Sequence, residues 1–152
     1  MIRNYFLAVL AAVLCLAAVV ALSGGTLGTY VDVPSIIIMV VCPLAYQWIL
    51  FGAGYVKDAF ISPFKKEASP AQLSRAQVFF KSYMKVVWLL SVVVLIIGFV
   101  AIMKNLEDRQ ALGPNMAIAS ISLLYAGLID ILVIIPYGII LKKRMGVLEE
   151  EL

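Results

Sequence analysis

The sequence predicts an all-α membrane protein with four transmembrane helices in two hairpins. Three observations carry that expectation. The 152-residue chain is 64% hydrophobic and 14% charged, with a mean hydropathy of +1.05, whereas a soluble domain is about 45–50% apolar. Four apolar runs, roughly Tyr5–Leu22, Ile36–Phe51, Val86–Met103 and Met116–Leu141, approach or exceed the ~20 residues that cross a bilayer as a helix. The basic residues are also segregated. With both termini inside, Arg3, Lys57, Lys65, Lys66, Arg75, Lys81, Lys85, Lys142, Lys143 and Arg144 face the cytoplasm, and only Lys104 and Arg109 fall outside. Ten against two is the bias that orients multi-pass proteins.

Residues 1–54 form the first expected hairpin, 55–85 a short cytoplasmic connection and the start of the third helix, and 86–152 the second hairpin with a cytoplasmic tail. Arg3 and the run after it have the outline of a signal peptide, but the apolar stretch is long, and it is read as the first span. "SGGTLGTYVDVPS" supplies the Gly, Asp and Pro of a tight outer turn. Pro43 falls inside the second span, where a kink is expected and tolerated. "FISPFKKEAS" reads as a turn. Ser69, Pro70 and Gln72 then form a helix start, with a capping serine, a first-turn proline and a glutamine three residues after the cap. No breaker follows, so one helix is expected from Pro70 to about Met103, roughly 50 Å long at 1.5 Å per residue. "KNLEDRQALGPNM" is the second outer turn, with Glu107, Asp108 and Arg109 as a solvated loop. Span four is expected to start after Asn115 and to run past "KKR" toward Glu149.

Several functions are set aside. The chain has two cysteines, Cys15 and Cys42, each inside a span, and no histidine. A disulfide framework, a metal site or a cofactor is therefore not expected. The net charge of +3 implies contact with inner-leaflet lipids, since no aromatic-interleaved basic stripe points to nucleic acid. No nucleophile–base pair or phosphate loop is visible, which argues against an enzyme.

Both outer turns carry a family likeness. "GGTLGTYVDVPSIII", and more specifically "KNLEDRQALGPNMAIASISLLYAGLIDILVIIP" with its Leu112-Gly113-Pro114, Met116-Ala117, Ala119, Tyr125 and Pro136, resemble the MotA/PomA flagellar stator family within the MotA/TolQ/ExbB proton-channel group. Gly98 fits a glycine of that family's third span. The resemblance implies a bacterial inner-membrane protein forming a homopentameric ring, with spans three and four inside. It also implies a single-span partner of MotB or ExbD type carrying a periplasmic domain, and a flow of ions that drives movement. The cytoplasmic connection is much shorter than in the stators, so the usual rotor contact is not expected. The implied function is a ring subunit of a proton-driven energy-transducing complex. The alternative is a non-conducting oligomeric scaffold derived from that family.

The candidate ion-path or partner-docking residues are Asp130, Ser120, Ser122, Leu123, Gly127 and Leu95. Ser120, Leu123, Gly127, Asp130 and Ile134 recur at helical spacing, and the resemblance turns that stripe toward the ring interior. An ionised carboxyl group at mid-membrane costs roughly 2.5–3.5 kcal/mol on the mildest scale, which makes Asp130 a functional candidate; the structural alternative is a hydrogen-bonded acid. Leu95 and Leu123 occupy family threonine positions, which removes oxygen ligands for Na⁺ and favours H⁺. Pro136 and Trp88 are candidate coupling residues. Pro136 fits the family's span-four proline, and Trp88 stands ten residues before Gly98, where the family has a pore-side proline. Their plainer readings are a helix kink and an aromatic-belt anchor. Ser91, Ser120 and Ser122 either line a polar path or bond to carbonyls one turn back.

Overall fold

A computed structural model describes residues 2–65, 67–104 and 109–150. Every regular element among them is helical. Four helices are long and apolar enough to cross a membrane, so the chain is a multi-pass membrane protein. Lipid explains the uniformity. Hydrocarbon cannot hydrogen-bond an exposed backbone, and a helix satisfies its own.

The first helix, α1, runs Ile2–Leu22. Gly24 ends it at φ +70°, a left-handed conformation that costs glycine little. The Gly25 N–H reaches the Val20 carbonyl at 3.3 Å and that of Gly24 reaches Ala21 at 3.2 Å, which is the Schellman stop. After a 3₁₀ turn at Leu27–Tyr30, Asp32 caps the next helix by accepting the Ser35 N–H at 2.9 Å. Hydrogen bonds from Ser35, side chain first and backbone second, hold the Asp32 carboxyl below the usual carboxylate range.

Helix α2, Val33–Phe51, contains a π turn at Ile37–Val41. Its cause is Pro43, which has no N–H and whose ring would clash with the carbonyl four residues back. Widening the preceding turn relieves the clash, and the Cys42 N–H bonds to Ile37, five residues back. Gly52, at φ +82°, breaks the chain into α3, Ala53–Ile61. The sequence reading assigned Phe60 and Ile61 to a turn, but both complete this helix. Val56, Ala59 and Phe60, at i, i+3 and i+4, make an apolar face that packs on the next helix. Only 62–65 turns.

Helix α4, Pro70–Lys104, has 35 residues, close to the expected length. Its reciprocal cap is present: the Gln72 N–H bonds to the Ser69 Oγ at 3.3 Å and the Ser69 N–H to the Gln72 Oε1 at 3.2 Å. Helix α5 spans 109–150 with a π turn at Asp130–Ile134. It starts earlier than expected. Pro114 lies within it and removes one hydrogen bond from an otherwise satisfied helix, which does not stop it. The outer-turn residues 105–108, Lys66 and the side chains of Arg3, Arg109 and the acidic tail lie outside the described residues.

Helix α4 is the central element. It packs against α5 along its length, and α2 and α3 also contact it. The first helix meets α5 from Asp130 onward, so the first and last helices are neighbours in space. The core lies at the end rich in lysine and arginine. Leu73, Ala76, Phe79, Phe80, Tyr83 and Val87 of α4 are buried there. Tyr137 is the hub, with ring centroids 4.8 Å from Phe80, 5.2 Å from Phe64 and 5.7 Å from Tyr5. Each such pair adds about 0.5–1.5 kcal/mol beyond area burial. The Arg144 Nη1 donates to the carbonyls of Ser62, at 2.9 Å, and of Pro63 and Lys65. A cation thus closes the C-terminal end of α3, where the helix dipole favours it.

At the other end, the α4–α5 crossing is set by small residues. A Cβ on Gly98 would stand 2.5 Å from that of Ala119, closer than two methyl groups can approach. Gly98→Val is therefore expected to cost about 1–3 kcal/mol by overpacking, or a midpoint lower by about 2–4 °C per kcal/mol. Gly54→Ala, where the new methyl meets nothing within 4 Å, is expected to hold or slightly raise the midpoint. Thermal unfolding in detergent, followed by circular dichroism, checks both. Equal tolerance at the two positions would contradict the close crossing.

Candidate functional site

The candidate site lies where α4 meets the irregular turn of α5. Asp130 is the first residue of the π turn, and the Ile135 N–H bonds to the Asp130 carbonyl five residues back. The sequence cause is Pro136, placed after its π turn as Pro43 is after the first. A π turn holds about one residue more than an α turn. The helix before it is therefore rotated by about 100° relative to a continuous α-helix, which sets the direction in which Asp130 projects.

Asp130 projects toward Trp88. The Trp88 indole N–H donates to the Asp130 Oδ2 at 3.2 Å. Trp88 remains 40% exposed, while Asp130 is half-buried. The second carboxyl oxygen, Oδ1, is buried without a hydrogen-bond partner among the described residues. The site thus offers one oxygen held by a fixed donor and one that is buried and unsatisfied. A buried acceptor left unpaired costs about 1–3 kcal/mol, so a group that satisfies Oδ1 gains binding energy there.

The remaining candidates divide. Ser91 and Ser122 are buried on facing helices, and the Ser122 hydroxyl reaches the Ser91 carbonyl at 3.5 Å. Each also donates to its own helix, Ser91 to Trp88 and Ser122 to Ala119, both at 2.8 Å. The Ser120 hydroxyl bonds to the Met116 carbonyl at 2.8 Å and lies on an exposed residue. Leu95, Leu123 and Gly127 are half-buried, and a Cβ on Gly127 would meet nothing within 4 Å. Trp88 and Asp130 are therefore brought together, while the three serines are turned back on backbone carbonyls.

Sequence reasoning treated Trp88 and Asp130 separately and missed the pair. The available signal was complementarity, since an indole N–H and a carboxyl group in apolar spans each need a partner. It also missed Gln47, which is fully buried and donates to the Ser82 Oγ at 2.9 Å. Tyr125 was noted without a role. Its hydroxyl accepts the Asp32 N–H at 2.9 Å and donates to the Tyr30 carbonyl at 2.8 Å, which pins the first turn to α5.

No family model matches the chain, and no curated protein matches it in sequence.

The pair predicts a non-additive mutant cycle. Trp88→Phe leaves both Asp130 oxygens unpaired and is expected to cost about 1–3 kcal/mol, while replacing both partners by apolar groups approaches neutrality. Unfolding midpoints of Trp88→Phe, Asp130→Leu and the double variant are expected to show a coupling of about 0.5–3 kcal/mol. Additive losses would contradict the hydrogen bond.

Proposed function

We propose that the chain is a ring subunit of a proton-driven, MotA/TolQ/ExbB-like energy-transducing complex of the bacterial inner membrane, with both termini cytoplasmic. The observation that carries this reading is the half-satisfied carboxyl group of Asp130, a costly group to place in a span unless it is used. One feature of the sequence resemblance adds support: Pro136, at the family's proline position, follows the π turn that aims Asp130. In this reading the spans pair as two hairpins and five copies form the ring. A single-span partner of MotB or ExbD type, with a periplasmic domain, occupies its centre. Asp130 passes a proton or accepts a donor from that partner, and Trp88 and Pro136 fix its position. The complex performs no enzymatic conversion.

The second reading is a non-conducting oligomeric scaffold. It is favoured by the back-bonded hydroxyls of Ser91, Ser120 and Ser122, by Trp88 in place of the family's pore-side proline, and by the apolar Leu95 and Leu123, which leave few side-chain groups to conduct a proton.

Proton flux into liposomes, measured beside native mass spectrometry of the same preparations, separates the two. The motor reading expects an oligomer whose partner-dependent flux is lost in Asp130→Asn and Asp130→Ala while its mass is unchanged. An intact ring with no more flux than empty liposomes, with or without the partner, would favour the scaffold. A stable monomer would overturn both.

A further inference from the structure

At the basic end, a groove of about 270 Å³ opens between α4 and α5. Phe80 and Met84 of α4 and Ile135, Gly138 and Ile139 of α5 wall it, and Lys81 and Lys142 belong to its lining. Gly138 belongs to the wall, and a Cβ there would stand in open space, with no atom within 4 Å. Both lysines are exposed, and neither has a hydrogen-bond or acidic partner among the described residues.

We propose that this groove binds one anionic phospholipid, with the phosphate between Lys81 and Lys142 and an acyl chain along Met84, Ile135 and Ile139. The depth fits. The apolar run of α4 begins at Val86 and that of α5 ends at Leu141, so the lysines flank the edge of the hydrocarbon region while the groove walls extend into it. The chemistry fits as well. Two exposed ammonium groups at that level attract an anionic headgroup, each worth about fivefold in binding, and the Gln77 amide in the same lining supplies a further donor. The walls beyond are apolar and match a hydrocarbon tail. A zwitterionic headgroup carries no net charge to draw it to the lysines. The groove lies within one copy of the chain, so the proposal does not depend on ring formation or on the function of Asp130.

Native mass spectrometry of the full-length chain, purified in detergent and incubated with equal amounts of phosphatidylglycerol and phosphatidylcholine, tests this. Wild type is expected to retain phosphatidylglycerol preferentially. Lys81→Gln/Lys142→Gln is expected to reduce that retention at least about tenfold. Gly138→Leu, which fills the groove but keeps both lysines, is expected to reduce it similarly. Lys57→Gln/Lys65→Gln, which removes two exposed lysines outside the groove, is expected to leave it unchanged. Equal retention of the two lipids would overturn the proposal. So would equal losses from the two lysine pairs, which would mean unspecific surface charge. A Gly138→Leu variant that alters the oligomer's mass while retaining phosphatidylglycerol would also overturn it, by showing that another copy fills the groove.

Discussion

Hydrocarbon offers no hydrogen bonds, and most of the irregularities of this molecule follow from that constraint. Each polar group inside a span must find a partner within the protein. Pro43 and Pro136 each withdraw a backbone donor, and both helices respond with a π turn immediately upstream. The serine hydroxyls fold back on carbonyls of their own helices. Gln47 finds Ser82, and Asp130 finds Trp88. Two buried side-chain oxygens stay unpaired among the described residues, one on Gln47 and one on Asp130. Gln47 is a neutral amide with one of its two groups satisfied. Asp130 is the costlier case, because it is the one acid within the four apolar runs.

The constraint also divides the molecule. At the basic end, α3, the Tyr137 aromatic cluster and Arg144 form a packed core, which fixes the lower halves of α4 and α5. Above it, each span presents large apolar side chains outward, as suits a surface covered by lipid or by other copies. The Trp88–Asp130 pair lies between these regions, two helical turns along α4 from the buried Phe80, just past the end of the buried Leu73–Val87 stripe, and one turn from Ile134 on α5. A firm base below and the close Gly98–Ala119 crossing above leave α4 and α5 little freedom to slide, which gives the indole and the carboxyl group a fixed register.

Much of this was legible in the sequence, because it depends on local signals. The four apolar runs, the Ser69–Gln72 cap and the length of α4 rest on residues close together in the chain. The features that were missed depend on distant ones. Trp88 meets Asp130 across 42 residues, and Arg144 reaches Ser62 across 82. Helix α3 was read in part as a turn because Ser62 and Pro63 dominate the local signal, while its apolar face has meaning only against Phe79 and Phe80 of α4. Proline in a span signals a kink, but the π turn and its rotation of Asp130 emerge only once the helix is built. Gly113-Pro114 gave a stop signal that the helix overrides. Of the candidate site, Asp130 was read as the anomaly, and its partner Trp88 was read as a coupling residue or an aromatic-belt anchor.

The account depends on Asp130 being held by Trp88 in a geometry set by Pro136. The chain has two tryptophans, Trp48 and Trp88, and Trp48 is 59% exposed and serves as an internal reference. Indole ¹H–¹⁵N resonances in detergent micelles measure the bond directly. Asp130→Ala is expected to shift the Trp88 indole proton upfield and speed its exchange with water, with Trp48 unmoved. Pro136→Ala is expected to shift it in the same direction although neither bonded partner has changed. A Trp88 resonance indifferent to Asp130→Ala would contradict the hydrogen bond, and one that responds to Asp130→Ala but not to Pro136→Ala would contradict the role of the π turn.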